Sequence, residues 1–214
     1  HAFEGCTALE NIDLPDGLTT IYAYAFQDCD ALPAIDIPDS VTTLAARAFY
    51  NCDALSEVAY PADLTTILTR NNEEDDWEGD SDFRSPFEGC AALKKIVIPE
   101  GVTSIPDYTF RYFNGLEEVV LPDSLQNIGM YAFDLCSGLK TAKLNDGLSE
   151  IGAYAFARSA LTFVKIPQSV KVGDYAFSNC TSLTNITIPD SVTSIGHSAF
   201  SLCTNLTSIT ISSN

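Results

Sequence analysis

CTSLTNITIPDSVTSIG, residues 180–196, holds the periodicities that decide the fold. Ile186 and Ile188 alternate with polar residues, the period of two expected of a short strand with one buried face. Pro189, Asp190 and Ser191 then turn the chain: proline presets φ at the second turn position, and Asp or Ser can bond nearby amides. Val192 to Ile195 forms a second extended run, ended by Gly196.

Outward from this stretch, the Phe that opens each period recurs at Phe3, Phe26, Phe49, Phe87, Phe110, Phe133, Phe156, Phe177 and Phe200. Successive spacings are 23, 23, 38, 23, 23, 23, 21 and 23 residues. The shared pattern is A-F-x-x-C-x-x-L-x-x-I-x-I-P-D-S-V-x-x-I-G-x-Y. No long 3.6-period apolar stripe interrupts it, so long helices are not expected. A single turn of this length cannot bury its own Leu, Ile and Phe, whereas stacked turns cover one another's apolar positions. At ~4.8 Å between parallel strands, such a stack extends roughly 40 Å along its axis.

The L-x-x-I-x-I-P and I-G-x-x-A-F-x-x-C segments resemble the BspA-like (Treponema-type) leucine-rich repeats of bacterial surface proteins. The resemblance covers the chain except residues 68–84, and it lacks the Asn ladder of the common leucine-rich repeat. The expected fold is a leucine-rich repeat solenoid of about nine 23-residue turns. It would be right-handed and β-rich, with little helix and one parallel sheet running unbroken along a concave face over residues 9–211. The resemblance further implies display at a cell surface and adhesion to host or neighbouring-cell proteins.

Composition narrows the function. An apolar fraction of 46% supports a folded domain, and residues 1–214 read as one solenoid. The net charge of −18 argues against nucleic acid, whose phosphates demand Lys and Arg, and against anionic membrane. No run approaches 18 consecutive apolar residues, so no membrane insertion is expected. An open start at Ala2-Phe3 and an end just after Ile211, with no polar cap, point to a piece of a longer protein, expected to be monomeric.

Two places break the period. Between Ile67 and Phe87 an insertion brings seven acids (Glu73, Glu74, Asp75, Asp76, Glu78, Asp80 and Asp82) around the only tryptophan, Trp77. It reads as a solvated loop, as a calcium loop whose order departs from the EF-hand register, or as a binding loop anchored by Trp77 and Phe83. The second break is the 21-residue turn from Phe156 to Phe177, one residue short before Leu161 and another between Val170 and Val172. It is expected to bend or tighten the stack locally.

All seven cysteines (Cys6, Cys29, Cys52, Cys90, Cys136, Cys180 and Cys203) follow a repeat Phe by three residues, a position Phe113 takes in its own turn. An odd number in register argues against disulfides, and the expectation is free, shielded thiols acting as small hydrophobes. Tyr24, Tyr108, Tyr131, Tyr154 and Tyr175 share one column, either packing between turns or forming an aromatic edge for a ligand. His1 and His197 are the only imidazoles, and no triad, zinc or nucleotide motif surrounds them. No enzymatic activity and no cofactor are expected.

The outward strand positions carry the variation. The residue between the two buried strand positions runs Asp13, Asp36, Ala59, Val97, Val120, Lys143, Lys165, Thr187, Thr210. In this column and its neighbour, Val97, Val120, Lys143, Phe163 and Lys165 compose an apolar and basic patch suited to a protein interface. The reading is a surface-displayed binding module for an extracellular protein or glycan, with a structural spacer as the alternative.

Overall fold

The computed structural model describes residues 1–69 and 83–212. Each repeat contributes two short strands, and the described residues contain no helix. The first row comprises β2 (Ala34–Asp36), β4 (Glu57–Ala59), β6 (Lys95–Val97), β8 (Glu118–Val120), β10 (Thr141–Ala142), β12 (Phe163–Lys165), β14 (Asn185–Pro189) and β16 (Ser208–Ser212). The second comprises β1 (Thr20–Ile21), β3 (Thr43–Ala45), β5 (Thr66–Leu68), β7 (Ser104–Ile105), β9 (Asn127–Ile128), β11 (Glu150–Ile151), β13 (Lys171–Val172) and β15 (Ser194–Ile195). All pairings are parallel and join one turn to the next, as Ile96 with Val119 and Ile128 with Ile151.

A third line of inter-turn bonds runs through the Ala-Phe segments. The amides of Phe26, Phe110, Phe133, Phe156 and Phe177 each donate to the alanine carbonyl one turn on, at 2.7–2.8 Å. These three lines enclose the Leu, Ile, Val and Phe columns. Neighbouring phenylalanines stack along the axis, with centroids 5.0 Å apart for Phe133 and Phe156 and 5.3 Å for Phe156 and Phe177. Burial of this column is the main stabilising term, since each enclosed aromatic removes a large apolar surface from water.

The unbroken sheet expected from the repeat is not what forms. Residues 9–14 make no strand, and the first row divides into β2-β4, β6-β8-β10 and β12-β14-β16. The second divides into β1-β3-β5 and β7-β9-β11-β13-β15. Both rows part where the insertion enters between β5 and β6, because turns on either side lose their constant offset. The first row parts again between β10 and β12, in the shortened turn. The second row crosses that turn intact, with Ile151 still paired to Val172, so the residue missing near Val170 is absorbed outside the ladder.

The cysteine column holds free thiols, but their role exceeds apolar filling. Cys52, Cys90, Cys136 and Cys180 each donate from Sγ to the carbonyl of the repeat Phe one turn back, at 3.0–3.1 Å. Burial pushes the Cys29 thiol up to about 11 and raises that of Cys136 as well. Shielding is not uniform, however: five of the thiols are buried, Cys203 is half-buried and Cys6 is exposed. A thiol reagent should therefore modify Cys6 of the native protein quickly and the five buried thiols slowly, because reaction needs an accessible thiolate. Seven groups should titrate in denaturant without reductant; fewer would mean bridges.

Candidate binding cleft

The outward column assembles as a row. Val97 pairs with Val120 and Lys165 with Thr187, while Phe163 stands in the adjacent column opposite Asn185. Alternation along each strand puts Ile96, Val119 and Val164 in the core and leaves their neighbours outside. Val97 is 51%, Val120 37% and Phe163 48% exposed. Lys143 and Lys165 are also exposed. All five residues proposed for binding thus share one face.

What the repeat pattern does not foretell is a seam across this face. Between well-paired turns, the Ile98 amide donates to the Val120 carbonyl at 3.0 Å, and the Ile166 amide to the Thr187 carbonyl at 2.9 Å. No equivalent bond joins Leu121 to Lys143 or Leu144 to Lys165. One weak link remains, from the Thr162 amide to the Lys140 carbonyl at 3.4 Å. The turn missing a residue before Leu161 cannot keep Phe163–Lys165 in step with residues 141–144, and β10 stops at Ala142.

A cleft of about 630 Å³ opens at the seam, lined by Lys140, Thr141, Lys143, Leu144, Phe163 and Lys165 among others. Asn145 shapes one wall. It occupies the position held by proline in the neighbouring turns, and its side-chain amide donates to the Pro122 carbonyl at 2.6 Å and the Leu125 carbonyl at 3.2 Å. Its Oδ1 accepts the Gly147 amide at 2.7 Å, which keeps the turn in place without the proline ring. Asp123 and Asp146 stand on the same wall.

The charge pattern around the cleft is selective. Lys94, Lys95, Lys140 and Lys171 each lie within 4.0 Å of a carboxylate on a neighbouring turn, Lys140 reaching Glu117 at 3.1 Å and Lys171 reaching Glu150 at 2.8 Å. Lys143 and Lys165 have no such partner among the described residues. The two lysines left unneutralised in a protein of charge −18 therefore both line this cleft, beside the paired Lys140.

Other sites considered from the sequence fall elsewhere. Trp77, and the acids that raised a calcium loop, lie outside the described residues. Phe83 is half-buried, its ring tilted against Tyr108 at 5.0 Å and its carbonyl receiving the Arg111 guanidinium at 3.4 Å. It belongs to the tyrosine side of the stack rather than to the strand face. The tyrosine column stacks on itself, with centroids 4.7 Å apart for Tyr131 and Tyr154 and 4.8 Å for Tyr154 and Tyr175. Those ring faces are largely covered by one another, and the Tyr24 hydroxyl accepts from Arg47 at 3.2 Å.

Beside the tyrosines lies a charged cluster that the repeat pattern hides. Asp134 is fully buried and accepts Arg111 at 3.1 Å and Arg158 at 2.7 Å. The Arg111 guanidinium also lies 4.8 Å from the Tyr112 ring and 4.9 Å from that of Tyr131. Glu88, two turns away, bridges Arg47 and Arg84 in the same manner. Glu88, Arg111, Asp134 and Arg158 follow repeat phenylalanines and Arg47 and Arg84 precede them, at positions where the consensus is indifferent, so only the stack reveals that they meet.

Comparison with known proteins agrees with this architecture. The T. pallidum leucine-rich repeat protein TpLRR is 25% identical, matches over 92% of this chain and 75% of its own, and superposes with a TM-score of 0.55. The pneumococcal vaccine antigen PcpA is 18% identical over 92% of this chain and 60% of its own, with a TM-score of 0.51, a likeness of fold. A leucine-rich repeat protein from Bacteroides ovatus is 26% identical with a TM-score of 0.49, and this chain spans 59% of its length. No curated protein matches the chain in sequence. The profile of the BspA type leucine rich repeat region matches residues 1–71, 84–182 and 149–214, with six copies. The chain accordingly belongs to the BspA-type leucine-rich repeat family.

Proposed function

We propose that this protein is a non-catalytic binding module, displayed outside the cell or at its surface, that recognises an extracellular protein or glycan through the first strand row. One observation carries the reading. Val97, Val120, Lys143, Phe163 and Lys165 share one apolar and basic face on an otherwise acidic protein, where a solvated strand row would be expected to be polar. Strand neighbours hold Val97, Val120 and Phe163, so contact there costs little ordering entropy. Family membership supports surface display, since the resemblance is to repeats of bacterial surface proteins.

The test is a double change, Val120→Asp with Phe163→Ser. Both side chains point away from the core, so the fold should persist with an unchanged circular dichroism spectrum. Fluorescently labelled protein should bind intact epithelial or bacterial cells, and the double variant should lose at least about tenfold in affinity, as when central apolar anchors are removed. Equal binding by variant and parent would move recognition away from this row. Absence of binding by either protein would favour a spacer between domains of a larger surface protein.

A further inference from the structure

We propose that the seam cleft seats a carboxylate side chain from an extended segment of a partner protein. The carboxylate is held between Lys143 and Lys165, and an adjoining apolar residue rests on Phe163. This deepens the proposed function and rests on the strand row being a protein-binding face.

Three independent features converge on that occupant. Lys143 and Lys165 line the cleft without a carboxylate of their own, while every other lysine on the protein has one within 4.0 Å. An arriving carboxylate therefore meets two ammonium groups without displacing an internal ion pair. Second, the amides of Leu144 and Asn145 reach no acceptor among the described residues, and proline at the Asn145 position would have removed one of them. An extended backbone or an acidic oxygen can use such donors, as in strand addition to an open sheet edge. Third, Phe163 is about half exposed at the same cleft and offers an apolar wall.

The acidic residues define the limit of the ligand. Asp123 and Asp146 line the cleft beside the lysines, so a second acid placed near them meets like charge. The site accordingly selects one carboxylate flanked by neutral or apolar residues over a polyanion. Screening limits the protein's overall field to a Debye length of ~8 Å, so an arriving carboxylate responds to the groups lining the cleft rather than to the net charge.

The experiment is a titration of the 15N-labelled protein followed by amide shifts. The probes are acetyl-Val-Glu-Val-amide, its Gln counterpart, and free glucuronate. The Glu peptide should move the amides of Lys143, Leu144, Phe163 and Lys165. The Gln peptide should bind about tenfold more weakly, as should the Lys143→Ala, Lys165→Ala double variant, since two exposed ion pairs are each worth roughly threefold to fivefold. Raising salt should weaken the Glu peptide several-fold. Equal affinity for the Gln peptide would overturn carboxylate recognition while leaving the row a protein-binding face. Glucuronate binding as tightly as the Glu peptide would overturn the peptide occupant in favour of an acidic sugar. If none of the three probes shifts these amides, the proposal fails, whereas the face as a whole is judged separately by cell binding of the Val120→Asp, Phe163→Ser variant.

Discussion

Replacing Gly173 by alanine should lower the free energy of unfolding by about 3 kcal/mol, the upper range for overpacking a rigid interior. A Cβ at Gly173 would stand 2.7 Å from the Ala153 nitrogen and the Gly152 carbon, and 2.8 Å from the Ile151 oxygen. These are backbone atoms of the preceding turn, so no side chain can swing aside. Moving the backbone would strain the bond from the Gly173 amide to the Ile151 carbonyl, 2.8 Å long. The strain would also pass along the stack, because Gly196 meets Gly173 more closely still than Gly173 meets Gly152. Gly17 provides the control: a Cβ there meets nothing within 4 Å, and its alanine variant should lie within about 0.5 kcal/mol of the parent. Urea unfolding of the three proteins measures both. Matching midpoints for Gly173→Ala and Gly17→Ala would show that the turns are not packed backbone to backbone.

Asp134→Ala should be at least as damaging, at about 3–5 kcal/mol, the range for removing one partner of a buried ion pair. Arg158 is 38% exposed along its side chain and can turn to water once Asp134 is gone. Arg111, at 7%, cannot, and it would stay enclosed against Tyr112 and Tyr131 after losing the Asp134 carboxylate. The penalty therefore resides in the buried carboxylate that Arg111 and Arg158 share. It follows that Arg111→Met combined with Asp134→Leu should recover more than half of the loss, since a buried pair can be exchanged for packed apolar side chains at little cost. A double-mutant cycle by chemical denaturation reads the coupling directly. Additive losses for the two changes would mean that Arg111 and Asp134 act independently.

The architecture was legible because the repeat imposes a one-dimensional problem. Leu183, Ile186, Ile188 and the phenylalanine spacing declare which side chains face inward, and a solenoid places each column by translation along its axis. The outward column followed from the same rule, which is why Val97, Val120, Lys143, Phe163 and Lys165 could be assigned to one face before any coordinates. The thiols were legible as free groups in one column. Their bonds to the Phe carbonyls were not, because a donor's partner one turn back depends on the exact offset between turns.

Where that offset changes, periodic reasoning ends. The shortened turn after Phe156 signals an irregularity, whereas Asn145 in a proline position passes within the repeat as ordinary variation. Neither alone says that the ladder parts at Leu144 or that a cleft opens there, since one lost residue can be absorbed in a turn, as it is near Val170. Likewise Arg111, Asp134 and Arg158 are separate variable positions until stacking brings them within 3.1 Å of one another's charges. Residue identity and period determine what is buried and which way each strand faces, because those follow from local geometry. Seams, ion clusters and close backbone approach are set by the offset between turns, and that offset is a sum of packing forces over the whole stack that no single repeat contains.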